Sequence, residues 1–124
     1  MKIEVSHGEI VDKLSILNIK KDNIFDEVKL VNINKEYLYL HKIVFSDLNI
    51  SYDDDYLRLL EVNKKLWDIE DKIRDKERNK EFDEEFIELA RLVYHTNDIR
   101  ANIKKEINVK YGSQFVEEKS YNKY

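Results

Sequence analysis

Apolar residues recur along this chain at spacings of three and four, the signature of amphipathic helices. Helix 1 carries Ile10, Val11, Leu14, Ile16, Leu17 and Ile19; helix 3 carries Tyr56, Leu59, Leu60, Leu66, Trp67 and Ile73; helix 4 carries Phe86, Leu89, Ala90, Val93, Ile103 and Ile107. Four helix starts share one device, a capping side chain flanked by an apolar pair that can close over it. Ser6 and Glu9 form a capping box between Val5 and Ile10; Asp26 sits between Phe25 and Leu30, Asp53 between Tyr52 and Leu57, and Asp83 between Phe82 and Ile87. The predicted helices are 7–23, 27–46, 54–78 and 84–110, with Gly112 as terminator of the last.

These elements define an all-α fold, a four-helix bundle-like domain over 1–112 followed by a C-terminal tail, 113–124, that carries no helical stripe. Helices 3 and 4 are joined by a few residues and should run antiparallel as a long hairpin. Residues equidistant from its turn then face each other, Trp67 near Tyr94 and Glu70 near Arg91. The apolar face of helix 1 is wider than a helix wetted on one side requires. Such a helix is central or is covered by a second subunit.

Composition narrows the choices. The 124 residues include no proline and two glycines, which favours a few long helices. A formal net charge of −4 argues against a nucleic-acid footprint. The absence of cysteine removes disulfides, thiolate metal sites and a cysteine nucleophile, and fits a reducing cytoplasm, or the host cytoplasm if the chain is phage-encoded. The opening Met-Lys-Ile-Glu-Val lacks the apolar run of a signal peptide, and no stretch approaches a membrane span.

Polar residues that interrupt apolar stripes are the candidate functional set, because burying one unpaired costs about 1–3 kcal/mol. On helix 3 these are Glu70 and Arg74, with Asn63 above them; on helix 4 they are Arg91, Asn97 and Arg100. They read either as a pocket, with arginines binding an anion and Glu70 as acid or base, or as a network fixing helix register. Glu70 should lie within salt-bridge reach of Arg91 or Arg100. Carboxylate pairs at Glu9 and Asp12, and at Glu85 and Glu88, have Mg²⁺-binding spacing. Their order along the chain reverses that of the all-helical nucleotide pyrophosphohydrolases, and no metal or cofactor is expected. His7, His41 and His95 have no triad partners, and no glycine-rich phosphate loop exists. Exposed tyrosines, among them Tyr37, Tyr39, Tyr52, Tyr111, Tyr121 and Tyr124, could mark a protein contact.

Several stretches carry a resemblance. Glu4-Val5-Ser6, Gly8-Glu9, Asp12-Lys13 and Ile16-Leu17, the run Leu66 to Arg74, the run Phe82 to Arg91, and Tyr94 to Lys104 resemble a family of short uncharacterised proteins of bacteria and their phages. His7 departs from its pattern, which has an aliphatic residue there. The resemblance implies a helical fold and transfers no catalytic residue. The leading expectation is a non-enzymatic helical interaction module, a homodimer that binds an unidentified protein partner without nucleic acid or membrane. The alternative is a small enzyme or binding protein for an anionic metabolite, a nucleotide or phosphosugar, at the helix 3–helix 4 seam.

Overall fold

The computed structural model describes residues 1–123, and Tyr124 lies outside them. Four helices are present, α1 (His7–Asn23), α2 (Glu27–His41), α3 (Leu57–Arg78) and α4 (Glu84–Lys110), with no strand among the described residues. The fold is all-α, and α3 and α4 pack together as the long hairpin. No helix among the described residues is long and apolar enough to cross a membrane.

Three of the expected caps form. Ser6 Oγ accepts from the amide of Glu9 at 3.3 Å, Asp26 from Lys29 at 2.9 Å, and Asp83 from Phe86 at 3.0 Å. The fourth is corrected: Ser51, not Asp53, caps the chain entering α3, accepting from the amide of Asp54 at 3.1 Å. Between α2 and α3 the backbone twice widens into π turns, over Lys42–Asp47 and Tyr52–Tyr56. Their bonds reach five residues back, Leu48 N–H to Ile43 O at 2.9 Å and Tyr56 N–H to Ser51 O at 3.1 Å. The regular helices therefore stop short of the expected 27–46 and 54–78. One extra residue per turn rotates the side chains so that Val44, Asp55 and Tyr56 all turn inward.

Helix α1 is the hub. Val11 and Leu14 are fully buried and Leu17 and Ile19 nearly so, because α2, α3 and α4 all pack on α1. Its wide apolar face is covered within the chain, so of the two expectations α1 is the central helix. The core continues through Ile33, Leu40, Val44, Ile50, Tyr56, Leu59, Leu60, Val62, Ile103 and Ile107. The Tyr56 hydroxyl accepts from Asn18 Nδ2 at 2.8 Å, and burial pushes its pKa up to about 12. Trp67 is packed partly buried against this core, in a recess lined by Ile19, Asp22 and Asn23 of α1.

The hairpin turn is held by charge. Lys76 Nζ reaches Glu81 at 3.1 Å, Asp83 at 2.9 Å and Glu85 at 3.2 Å, and these bonds raise its pKa while lowering that of Asp83. Lys80 takes the left-handed conformation at φ 54°, letting the amide of Glu81 close on Lys76 O at 2.9 Å. At the other end Gly112, at φ 66°, stops α4 as expected, and the amide of Ser113 returns to Asn108 O at 2.8 Å. The chain then folds back along α4, with Glu117 beside Lys104 and Glu118 beside Lys105.

Gly8 sets how closely α1 and α4 approach. A Cβ there would lie 2.5 Å from Lys104 O and 3.0 Å from Asn108 Oδ1, the atom that accepts from the Gly8 amide at 2.6 Å. Gly8→Ala therefore pushes two helix backbones apart and is expected to destabilise the fold by about 2 kcal/mol. Urea unfolding followed by circular dichroism measures this, and an unchanged midpoint would contradict the close approach.

Candidate functional site

A carboxylate in the middle of the hub helix needs compensation, and three elements supply it. Asp12 on α1 is 1% exposed. Its Oδ1 accepts from Asn63 Nδ2 of α3 at 2.9 Å and from Arg100 Nε of α4 at 2.9 Å. Its Oδ2 accepts from Arg100 Nη2 at 2.5 Å, completing a two-pronged guanidinium–carboxylate pair. Asn63 Nδ2 also donates to Ser15 Oγ at 2.7 Å, and that hydroxyl donates to the backbone oxygen of Asp12 at 2.7 Å. The hydrogen bonds that Arg100 donates to Asp12 hold the Arg100 pKa above its ordinary value.

The network runs outward along α4. Lys104 Nζ lies 3.8 Å from Asp12 Oδ2, donates to Glu9 at 2.8 Å, and reaches Glu117 of the returning tail at 3.5 Å. One turn further, Asn108 receives the Gly8 amide, and Ser113 Oγ accepts from the His7 amide at 3.1 Å. A second, separate clasp sits at the far end of α4. The Tyr111 hydroxyl donates to buried Asp55 at 2.6 Å and accepts from the Ser51 amide at 2.9 Å, while Lys110 Nζ donates to Asp55 at 3.0 Å. Among the described residues no group of three or more histidine and carboxylate side chains could hold a metal ion. Glu85 is engaged by Lys76.

The five sequence candidates separate. Arg100 and Asn97 stand together, Arg100 Nη1 donating to Asn97 Oδ1 at 3.4 Å. Glu70 does not reach Arg91 or Arg100: it pairs with Arg74 on its own helix at 3.7 Å, with Arg74 exposed and Glu70 half-buried. It is two turns, about 10 Å, along α3 from Asn63, which marks the level of Asp12. Arg91 is exposed and about 13 Å along α4 from Arg100. The expected Glu70–Arg91 contact fails because both lie nearer the turn of the hairpin than the Asp12 level, where water is the better partner.

The sequence reading overlooked Asp12, Ser15, Lys104 and Asn108 as members of this network. In the sequence Asp12 stands out as a possible metal partner of Glu9 and as part of the Asp12-Lys13 match. The signal was the one used on α3 and α4: a charged residue between Val11 and Leu14, on a helix apolar over more than one face, has to be paired. Lys104 and Asn108 gave no such signal, since one looks like half of a solvated Lys104-Lys105 pair and the other follows Ile107 near the helix end.

Three surface features lie around this frame. A polar recess of about 310 Å³ opens beside the network, lined by Glu9, Asn97, Arg100, Lys104, Glu117 and Lys119. A wide shallow groove runs between α3 and α4 over Leu57, Val62, Ile99 and Ile103. Third, α2 turns Ile33 and Leu40 inward but leaves Val28, Val31, Leu38 and Tyr39, with Phe25 just before the helix, between 63% and 83% exposed.

These observations define a small all-helical domain organised on a buried ion pair. The chain belongs to the family described as "Family of unknown function (DUF6165)", which it matches over residues 1–124. That agrees with the resemblance to an uncharacterised family. No curated protein and no solved structure matches it.

Removing Arg100 leaves the buried Asp12 carboxylate with only Asn63 and, at 3.8 Å, Lys104 to answer it. Arg100→Met is expected to cost about 3 kcal/mol, the low end for a buried pair because part of Arg100 remains wetted. Combined with Asp12→Asn, the two losses should fall short of their sum by more than about 1 kcal/mol. Chemical denaturation of both singles and the double measures this coupling. Additive losses would show that Asp12 and Arg100 do not act as a unit.

Proposed function

We propose that this protein is a non-enzymatic helical interaction module that works as a homodimer. The observation that carries the reading is the outer face of α2: Phe25, Val28, Val31, Leu38 and Tyr39 are left in water by a chain that buries Val11, Leu14, Leu17 and Ile19 of its hub helix. Apolar side chains clustered on one helix face mark a contact surface, whereas apolar residues scattered singly do not. The polar network supports the same reading. Its cations are turned to carboxylates, Arg100 to Asp12 and Lys104 to Glu9 and Glu117, which suits a frame that fixes helix register.

A second reading, a binding site for an anionic metabolite such as a nucleotide or phosphosugar, draws on the polar recess beside Asn97, Arg100 and Lys104. An anion would enter it by displacing Glu117 from Lys104. A nucleotide at about 100 times its dissociation constant would then raise the melting temperature by about 10 °C, and Lys104→Ala would abolish the shift. A flat response across nucleotides and phosphosugars removes this reading.

For the module, sedimentation at micromolar concentration is expected to give twice the monomer mass. A single species at the monomer mass across the accessible concentration range would overturn the homodimer.

A further inference from the structure

The reading as a homodimer leaves open which surface joins the copies and in what direction, and the charge layout of α2 speaks to both. On the outward side Val28, Val31, Lys35 and Leu38 follow one another at spacings of three and four, with Tyr39 beside Leu38 and Lys42 one turn beyond. Phe25 extends the face at its start. All seven are exposed. The helix start carries Asp26 and Glu27, while Lys35 and Lys42 lie in its second half and just past its end. Of the oppositely signed residues, Glu36 is bound to Lys13 of α1 at 2.8 Å, and Lys29 projects away from the outward line.

A face with this distribution chooses its own partner. Two copies laid parallel bring Lys35 against Lys35 and Lys42 against Lys42, and like charges at such spacing repel. Two copies laid antiparallel bring the basic end of each against the acidic start of the other, and they oppose the two helix dipoles. With Val28 of one copy against Tyr39 of the second, Lys35 lies beside Asn32 of the second copy. Lys42 then lies over Phe25 and within reach of Glu27, a cation–π contact and an ion pair made twice by symmetry.

We infer that two copies of this chain pair antiparallel through the outer faces of α2, with Val28 of each against Tyr39 of the other. This rests on the reading as a homodimer and adds the face and the direction.

The chain has no cysteine, so introduced thiols report without background. Val28→Cys and Tyr39→Cys alter exposed side chains, and circular dichroism confirms that each variant folds. Mixed and oxidised, the two variants should yield a disulfide-linked dimer, because antiparallel pairing brings the two positions within the roughly 7 Å Cα separation that a disulfide allows. Each variant oxidised alone should remain unlinked, since Val28 and its symmetry mate are then about 16 Å apart along the helix axis. Val31→Glu with Leu38→Glu should sediment as a monomer. Linkage of Val28→Cys with itself would overturn the antiparallel direction. A dimer by sedimentation that neither cross-links in the mixture nor dissociates in the double glutamate variant would overturn α2 as the seam while leaving the homodimer standing. A wild-type monomer would overturn both.

Discussion

The fold turns on one charge placed where water cannot reach it. Asp12 sits on the helix that the other three surround, and a carboxylate there is tolerable only if the surrounding helices supply donors. Asn63 from α3 and Arg100 from α4 do so, each with geometry that permits little sliding. Apolar packing alone would hold these helices together but would accept small shifts of register. A bidentate guanidinium that must meet both oxygens of one carboxylate does not. The ion pair therefore specifies how α1, α3 and α4 sit more than it adds to how strongly they stick.

From that clamp the rest of the molecule follows along α4. Gly8 lets α1 cross it closely, Lys104 gathers Glu9 and Glu117, and the chain after Gly112 returns along the same helix. At the far end Tyr111 and Lys110 fasten α4 to Asp55 in the wide turn before α3. α2 takes part in none of these clasps. It is attached to the hub by apolar packing, by the surface pair of Lys13 with Glu36 and by Lys21 lying over the Tyr37 ring, and it presents its other side outward. A helix held on one side and apolar on both is suited to contact a partner without disturbing the frame behind it.

That division of labour supports the proposal that the polar network is a structural frame and the outer face of α2 a contact surface. An anion binding beside this network would have to displace a carboxylate already paired with its cations. Here the central arginine already has its carboxylate, and the lysine beside it has two.

The sequence alone determined the helix count, three of the four caps, the hairpin, and the termination at Gly112. These depend on contacts within a few residues and on apolar periodicity, which are written locally. It also pointed to Asn63, Asn97 and Arg100 as polar groups in apolar stripes. Tertiary structure decided what periodicity cannot carry. It showed that α1 is covered by its own chain, that Ser51 rather than Asp53 starts the approach to α3, and that Arg100 answers Asp12 while Glu70 answers only Arg74. The Asp12 contacts depend on which residues meet across about fifty to ninety positions of chain, and helix phase is silent about that. The outer face of α2 belongs to the same class: its apolar residues were visible in the sequence, but only the packed bundle showed that none of the described residues covers them.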